Sequence, residues 1–557
     1  MTALFRKSLD VLLKKQTNIL SAAFVIMATV MLSHILGLIK ARLLATIFGV
    51  SSVLGIYDYS SLLPETLFQL TISAALSSAF IPVFTDYLIK GQEKEGHKMA
   101  STLLSLCFAL FSILSIIIAI FAPFFLTIFN LGSQFNPQDI HLMANLMRIL
   151  ILGQLFFIIG AFLSALLQSY NHFFIPGIAL ALYNLGIIIG IIILSPFIGI
   201  YAAPVGAVLG GLIYVVVQLP MIRTIGFSFK PSLGYVYSEG VKRIGKMMWP
   251  RTLSLIVFQF GTIAIGAFIS FLPDPGRNNV IYNFARTLAF APVTLFGQPI
   301  AQAAFPILSR ERQNLPQFKQ TFLSSFNQML YIILPISVLI LVLRIPIVRL
   351  VYGADRVDWM ATVGIGRTLA CFSISIFAQA LTALTLRAFY ALHNTKIPFV
   401  MGVLSTMVML ISASVFIIYY HFGVESLAVA YTIGNLVQLL ALLIMLDRKV
   451  GGFEKRKEFS ILTKYFFCTL STAFALYIPI KLLDQLVFDT RHTLDLLILT
   501  GISSIIGLSI YLLLSWLLEI EESKTYFALI RRIVRWDDIQ GILKRNPESV
   551  TVDSPKI

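Results

Sequence analysis

The sequence predicts an all-α polytopic membrane protein of fourteen transmembrane helices. Two six-helix lobes related by a parallel pseudo-twofold are expected, followed by two C-terminal helices. Composition is the first reason: 58% of the residues are hydrophobic and only 12% charged, with a mean hydropathy of +0.87, outside the range of water-soluble globular chains. Apolar runs are the second. A helix needs about 20 apolar residues to cross the hydrocarbon, and stretches of that kind recur from Asn18 to the Leu517 region. An internal repeat is the third.

Charged residues, Pro and Gly punctuate the runs, which fall near 18–47, 54–86, 100–129, 140–168, 174–197 and 200–222 in the first half. A basic connector follows. The second half has runs near 247–271, 279–308, 320–349, 359–386, 397–419 and 424–446, and two more lie near 465–482 and 494–518. Arg6, Lys7, Lys14 and Lys15 lead into a first run too long for a signal-peptide core and lacking a small-residue cleavage site, so that helix is expected to be retained.

Lysine and arginine accumulate on the cytoplasmic side of membrane proteins. With the N-terminus inside, thirty of the 42 basic residues fall in the even-numbered connections and the two tails. Six (Arg277, Arg344, Arg349, Arg356, Lys481 and Arg491) fall at the opposite face, and six lie within the runs. One missed crossing would scramble that asymmetry, so an even number of crossings with both termini cytoplasmic is expected. The net charge of +16 then belongs to loops facing an anionic leaflet and does not call for nucleic acid.

The repeat rests on two landmarks. LSALLQSYNHFFIPG (163–177) is echoed by LTALTLRAFYALHNTKIPF (381–399), with the Ile-Pro prolines 222 residues apart. AFIPVF (79–84) is echoed by AAFPIL (303–308), with prolines 224 residues apart. Both copies lie near a cytoplasmic helix end, so the two lobes share an orientation. Transporters with parallel repeats bind substrate between the lobes. The expected organisation is therefore an N-terminal lobe (1–222), a cytoplasmic connector (223–246), a C-terminal lobe (247–447), a further helix pair (448–518) and a cytoplasmic tail (519–557). Within the tail, Thr525 to Trp536 reads as an amphipathic surface helix.

A charge inside a bilayer costs about 2.5 to 3.5 kcal/mol even on the lenient insertion scale, so each one needs a partner, a wet cavity or a helix end. The first lobe carries His34, Lys40, Arg42, Asp58, Glu65 and Arg148 within its runs; the second carries Arg251, Arg286 and Arg367, while its acids Asp274, Glu311, Asp355, Asp358 and Glu425 each lie in or beside a loop. Surplus positive charge suits an anionic substrate such as a diphosphate. Arg251 and Arg367 lie near helix ends, where snorkelling to headgroups is an equal alternative. Arg286, in YNFARTLAFAP, sits deeper. At about 100° per residue Lys40 and Arg42 point roughly 200° apart, so a straight helix aims only one at a cavity, and Lys40 is taken as the inward one. His34 is open between a binding and a buried structural role.

No nucleotide-binding loop, GxSxG or HExxH is present, and the seven histidines do not cluster with carboxylates. Cys107, Cys371 and Cys468 lie inside apolar runs, so neither a disulfide nor a metal site is expected. No cofactor or direct use of ATP is expected, and any energy must come from a gradient or the membrane potential.

SHILGLIKARLLATIFGVSS (33–52), LLPETLFQLTISAALSSAFIPVFTDY (62–87), LLQSYNHFFIPGIALALYNLGIIIG (166–190), ARTLAFAPVTLFGQPIAQAAFPILSR (285–310) and RAFYALHNTKIPF (387–399) together resemble the MurJ/MviN lipid II flippases. The resemblance implies the multidrug/oligosaccharidyl-lipid/polysaccharide exporter fold, with a central V-shaped cavity and a prenyl-tail groove at the last two helices. It also implies passage of lipid II, an undecaprenyl-diphosphate-linked peptidoglycan precursor, from the inner to the outer leaflet of the bacterial inner membrane. Membrane lipids and cell-wall synthesis proteins are the implied partners. His34 and Lys40 stand where the family has arginines, and Arg286 matches its cavity arginine with a one-residue shift. Glu65 takes a position where the family has a polar residue. The family's Asp at Gly55, Arg pair at Phe68 and Gln69, and Glu-Gly at Ser73 and Ala74 are absent here. The substrate-binding residues expected are thus His34, Lys40, Glu65, Arg251 and Arg286. Export of another undecaprenyl-linked glycan, or a non-transporting scaffold role, are the alternatives. A drug-cation antiporter is disfavoured by the missing second-lobe acids, and an enzyme by the missing catalytic constellation.

Overall fold

A computed structural model of the chain describes residues 19–73, 79–129, 131, 135–232, 234–453, 455–486 and 492–524. The N-terminal basic residues, Arg491 and the stretch from Thr525 to Trp536 lie outside them. All regular structure among the described residues is helical. Eleven helical stretches are long and apolar enough to cross a membrane, and one of them, Phe174–Thr224, holds both the fifth and the sixth predicted runs.

The first half contains α1 (Ile19–Phe48), α2 (Ser52–Phe68), α3 (Ile81–Ile89), α4 (Glu93–Ile120), α5 (Ala122–Ile128), α6 (Pro137–Ser169), α7 (Phe174–Ile198), α8 (Ala202–Val216) and α9 (Leu219–Thr224). The second contains α10 (Glu239–Ile269), α11 (Pro275–Pro292), α12 (Gln298–Arg310), α13 (Leu315–Val342), α14 (Arg344–Tyr352), α15 (Trp359–Ala391), α16 (Lys396–Ser414) and α17 (Glu425–Val450), and α18 (Lys455–Leu486) and α19 (Thr493–Leu517) complete the chain. Starts are set by side chains that accept the free N–H groups of a first turn. Ser51, Ser238, Asp274 and Asp358 cap α2, α10, α11 and α15 in this way.

Several predicted runs are interrupted. The 100–129 run breaks at Phe121, the 200–222 run at Val217–Gln218 and the 320–349 run at Leu343. Pro123 and Pro220 stand at the starts of the short helices after two of these breaks, where a missing N–H does no harm. Helix α10 begins at Glu239, inside the stretch read as connector, because Ser238 caps it ahead of the apolar run.

The two halves share one packing order. Helix α1 lies along α7, α2 against α6, and both α6 and α7 against α8; equivalently α10 lies along α16, α11 against α15, and both α15 and α16 against α17. A wide π-helical turn follows α2 at Gln69–Ser73 and another follows α11 at Val293–Gly297. Their offset is the 224 residues that separate the two echoed prolines.

Helices α7 and α8 meet through paired small residues, Gly186 and Gly190 against Gly206 and Gly210. A β-carbon on Gly186 would lie 2.5 Å from the Gly210 Cα, and one on Gly190 would lie 2.5 Å from the Gly206 Cα. Four-residue glycine spacing on both helices is what lets membrane helices approach this closely. The last two helices pack on each other and on α13. Tyrosines fasten them: the Tyr511 hydroxyl donates to the Tyr331 carbonyl at 3.0 Å, that of Tyr465 to the Asn327 carbonyl at 3.3 Å, and Tyr331 and Ser515 share a hydrogen bond of 3.0 Å.

Candidate functional site: a charged cavity between the lobes

A cavity of about 1880 Å³ lies between the two halves, walled by α1 and α2 on one side and by α10, α11, α15, α16 and α17 on the other. It exceeds the roughly 300–1,000 Å³ of ordinary small-molecule pockets. At one end it reaches Met247 and Lys396; at the other it ends near Tyr59 and Ile269.

The blind end is made by backbone contact. Gly55 on α2 meets Gly276 on α11, the Tyr59 hydroxyl donates to the Gly266 carbonyl at 3.1 Å, and Asn283 Nδ2 donates to Asp58 Oδ2 at 3.4 Å. Two arginines tie the same end across the halves. Arg42 on α1 donates to the Leu350 carbonyl in the last turn of α14 at 2.6 Å. Arg356 donates to the Ile47 carbonyl in the last turn of α1.

Helix α1 sends Lys40 and His34 to the cavity wall, while Arg42 is committed to Leu350. That division follows the 100° per residue expected of a continuous helix. Glu65 lines the cavity from α2, and Arg286 from α11. The Arg286 guanidinium carbon stands 5.1 Å above the Phe290 ring one turn later, a cation–π contact that fixes the side chain while leaving its N–H fork available. Phe290 in turn packs on Tyr431 of α17, with ring centroids 5.7 Å apart. The backbone of Arg251 is in α10, and its side chain lies outside the described ones.

Asp58, named among the charges inside the runs but left out of the expected binding set, also lines the cavity. It and Glu65 are seven residues apart on α2, two helical turns, so they share a face. That spacing is visible in the sequence and would have brought Asp58 into the set. Its partner Asn283 and the lining residues Tyr57, Tyr282, Tyr431 and Asn435 carry no comparable signal, because only tertiary packing gathers them. Glu65 interacts electrostatically with both Lys40 and Arg286, and Asp58 with Lys40. Among the described residues, neither Lys40 nor Arg286 closes on a carboxylate to 4.0 Å or less. Lys40, Arg286, Asp58 and Glu65 thus share one cavity wall without a direct ion pair among them.

The family model described as lipid II flippase MurJ matches residues 44–492. The chain belongs to the MurJ family. Among curated MurJ relatives, the lipid II flippase of Burkholderia cenocepacia is 24% identical over 457 residues, spanning 78% of this chain and 85% of that one. The probable lipid II flippase of Thermotoga maritima is 26% identical over 491 residues, spanning 88% and 94% respectively. A solved MurJ structure in an inward closed conformation superposes with a TM-score of 0.74 at 22% identity, over 91% of this chain and all of that one. An inward-facing multidrug resistance MATE transporter of the MOP superfamily superposes at 0.63 with 13% identity, over 75% of this chain and 94% of that one. The MurJ fold is thus present in a chain whose cavity wall carries His34 and Lys40.

Proposed function

We propose that the protein moves lipid II from the inner to the outer leaflet of the bacterial inner membrane by alternating access. The observation that carries this reading is the inter-lobe cavity, large enough for a glycopeptide headgroup and lined by Lys40, Arg286 and His34. Arginine and lysine are the side chains that recognise a diphosphate. Membership of a family whose curated relatives are named lipid II flippases supports the choice of guest.

Within this reading Lys40 and Arg286 hold the diphosphate, His34 adds positive charge when protonated, Arg251 of α10 is a further binding residue, and Glu65 orients Lys40. Residues 1–222 and 247–447 act as the rocking lobes, 223–246 joins them on the cytoplasmic side, and α18 with α19 in 448–518 offers a path for the prenyl tail. Both termini and the 519–557 tail are cytoplasmic. The glycine contact then seals the outer face, and the cavity extends toward the cytoplasm. The reaction breaks no covalent bond, so the chain is a carrier and not an enzyme. Membrane lipids flank it, and cell-wall synthesis proteins are its partners.

Complementation tests the reading. A strain depleted of its own lipid II flippase should regain growth and normal shape on expression of this chain, and purified protein should bind lipid II. Membrane-inserted protein that neither rescues nor binds refutes it.

A further inference from the structure

We propose that Asp58 and Glu65 are proton acceptors linked to the guest, so that the cavity takes up a lipid-linked diphosphate together with protons. This rests on the reading of the cavity as a diphosphate site.

The argument begins with charge balance. The two carboxylates sit two turns apart on one face of α2 and both line the cavity. They face the cations assigned to the diphosphate: Lys40 interacts with both, and Arg286 with Glu65. Lys40 and Arg286 against the two carboxylates leave this part of the cavity close to neutral, with Arg387 and Lys396 as further cations on its wall. A diphosphate diester brings about two negative charges, and those would stand beside two more. Protonating the carboxylates removes that repulsion and frees Lys40 and Arg286 for the guest, because an anion placed beside a carboxyl group favours its neutral form. Each uptake moves one proton from water to a carboxylate oxygen, and no other bond changes.

The surroundings offer few competing acceptors. From α1 come Lys40 and His34, from α11 Asn283 and Arg286, from α7 Tyr183 and from α14 Tyr352, with Tyr57 and Tyr59 on α2 itself. Arg387 and Lys396 line the cavity from α15 and α16. Tyrosine and arginine keep their protons throughout the neutral range, so Lys40 and His34 are the groups to be told apart from the carboxylates. Asn283 already donates to Asp58 Oδ2. Its carboxamide can turn to accept from a protonated carboxyl, so the contact survives the change of state.

Linkage makes the inference measurable, since protons that follow the guest must in turn strengthen its binding. Lipid II is the probe, because its diphosphate is a diester with no proton of its own near neutrality. Binding to the full-length protein in nanodiscs would be followed by calorimetry from about pH 6 to pH 8, in buffers of different ionisation enthalpy, which counts protons in the unaltered protein. Net uptake is expected, with affinity falling as pH rises by up to about tenfold per unit for each proton taken. Glu65→Gln and Asp58→Asn, near-isosteric and already neutral, should each reduce the uptake and bind more tightly than wild type at the alkaline end. Uptake should persist in His34→Gln.

Binding without proton uptake, or uptake undiminished in the Asp58→Asn/Glu65→Gln double variant, overturns the inference and leaves the flippase reading standing. Loss of uptake in His34→Gln alone assigns the proton to the imidazole and overturns it equally. Absence of lipid II binding at every pH removes the flippase reading and this inference with it.

Discussion

Gly55 and Gly276 touch backbone to backbone: a β-carbon on Gly55 would stand 2.0 Å from the Gly276 carbonyl oxygen, and one on Gly276 would stand 2.6 Å from the Ser52 carbonyl oxygen. Neither obstacle is a side chain that can swing aside. Helices α2 and α11 meet closely here because neither residue has a side chain.

Gly55→Ala should therefore weaken the seal without disturbing either lobe. Overpacking of this kind typically costs about 1–3 kcal/mol, which corresponds to a population shift of roughly five- to 150-fold toward a state in which the two helices have parted. A cysteine at Thr287 on the cavity wall should become reactive to an impermeant thiol reagent from outside intact cells in the Gly55→Ala background. Equal labelling with and without the substitution would show that the glycine pair is not the barrier.

Arg286→Ala should abolish complementation at unchanged levels of inserted protein. Arg286→Lys should rescue in part, keeping the charge but losing the two-pronged fork and the planar stack on Phe290. Full growth with Arg286→Ala would remove this residue from the site.

At His34 and Lys40 the variants rank by the charge they leave. His34→Arg should be tolerated, His34→Leu impaired, and Lys40→Ala worse than either because it removes a permanent charge. A packed structural histidine gives the reverse pattern, with His34→Gln active and His34→Arg defective. Flipping measured at matched expression separates the two.

Asp358 links the starts of α11 and α15. Its carboxylate accepts from Arg277 Nη2 at 2.8 and 2.6 Å and from the Ala361 N–H at 3.2 Å. Partial burial pushes this carboxyl upward, but the Arg277 and backbone hydrogen bonds outweigh it and hold the group below the ordinary carboxylate range. A depressed folded-state pKa gives stability that is present above the unfolded value of about 3.9 and is lost as pH falls through the folded one. Asp358→Asn should lower the melting temperature modestly at neutral pH, within the roughly 0–1 kcal/mol of an exposed pair, and have a smaller effect near pH 3. An effect that grows on acidification contradicts this assignment.

Cysteine labelling also tests the topology. A cysteine at Asn278 should react from outside intact cells and one at Ser309 should not, as the division of basic residues between the two faces requires. External labelling at Ser309 reverses the orientation.

Apolar runs located the rods well and their ends poorly, and for one reason. Hydrophobicity marks the stretch that sits in hydrocarbon, whereas a helix ends where its backbone finds a cap. Helix α10 therefore starts behind its cap Ser238, and α18 is already helical at Lys455, ten residues before the run near 465–482. The orientation of Lys40 relative to Arg42 was legible because it depends only on helical rotation within one unbroken helix. The contact between Asp58 and Asn283 was not, since it joins residues 225 positions apart across the lobe boundary.

The cross-lobe ties at the Gly55 end share one property. Arg42 and Arg356 each reach a main-chain carbonyl in the last turn of a helix of the opposite lobe, Tyr59 another carbonyl, and Asn283 an amide-to-carboxylate contact. None of these four ties joins a cation to an anion. When the lobes separate, the freed helix ends meet water, which replaces a lost carbonyl partner readily. Dissolved salt screens charge pairs far more than contacts to neutral dipoles. The closure at this end is accordingly set to ignore the ionic composition of the compartment it faces, while remaining loose enough for one bound molecule to tip it.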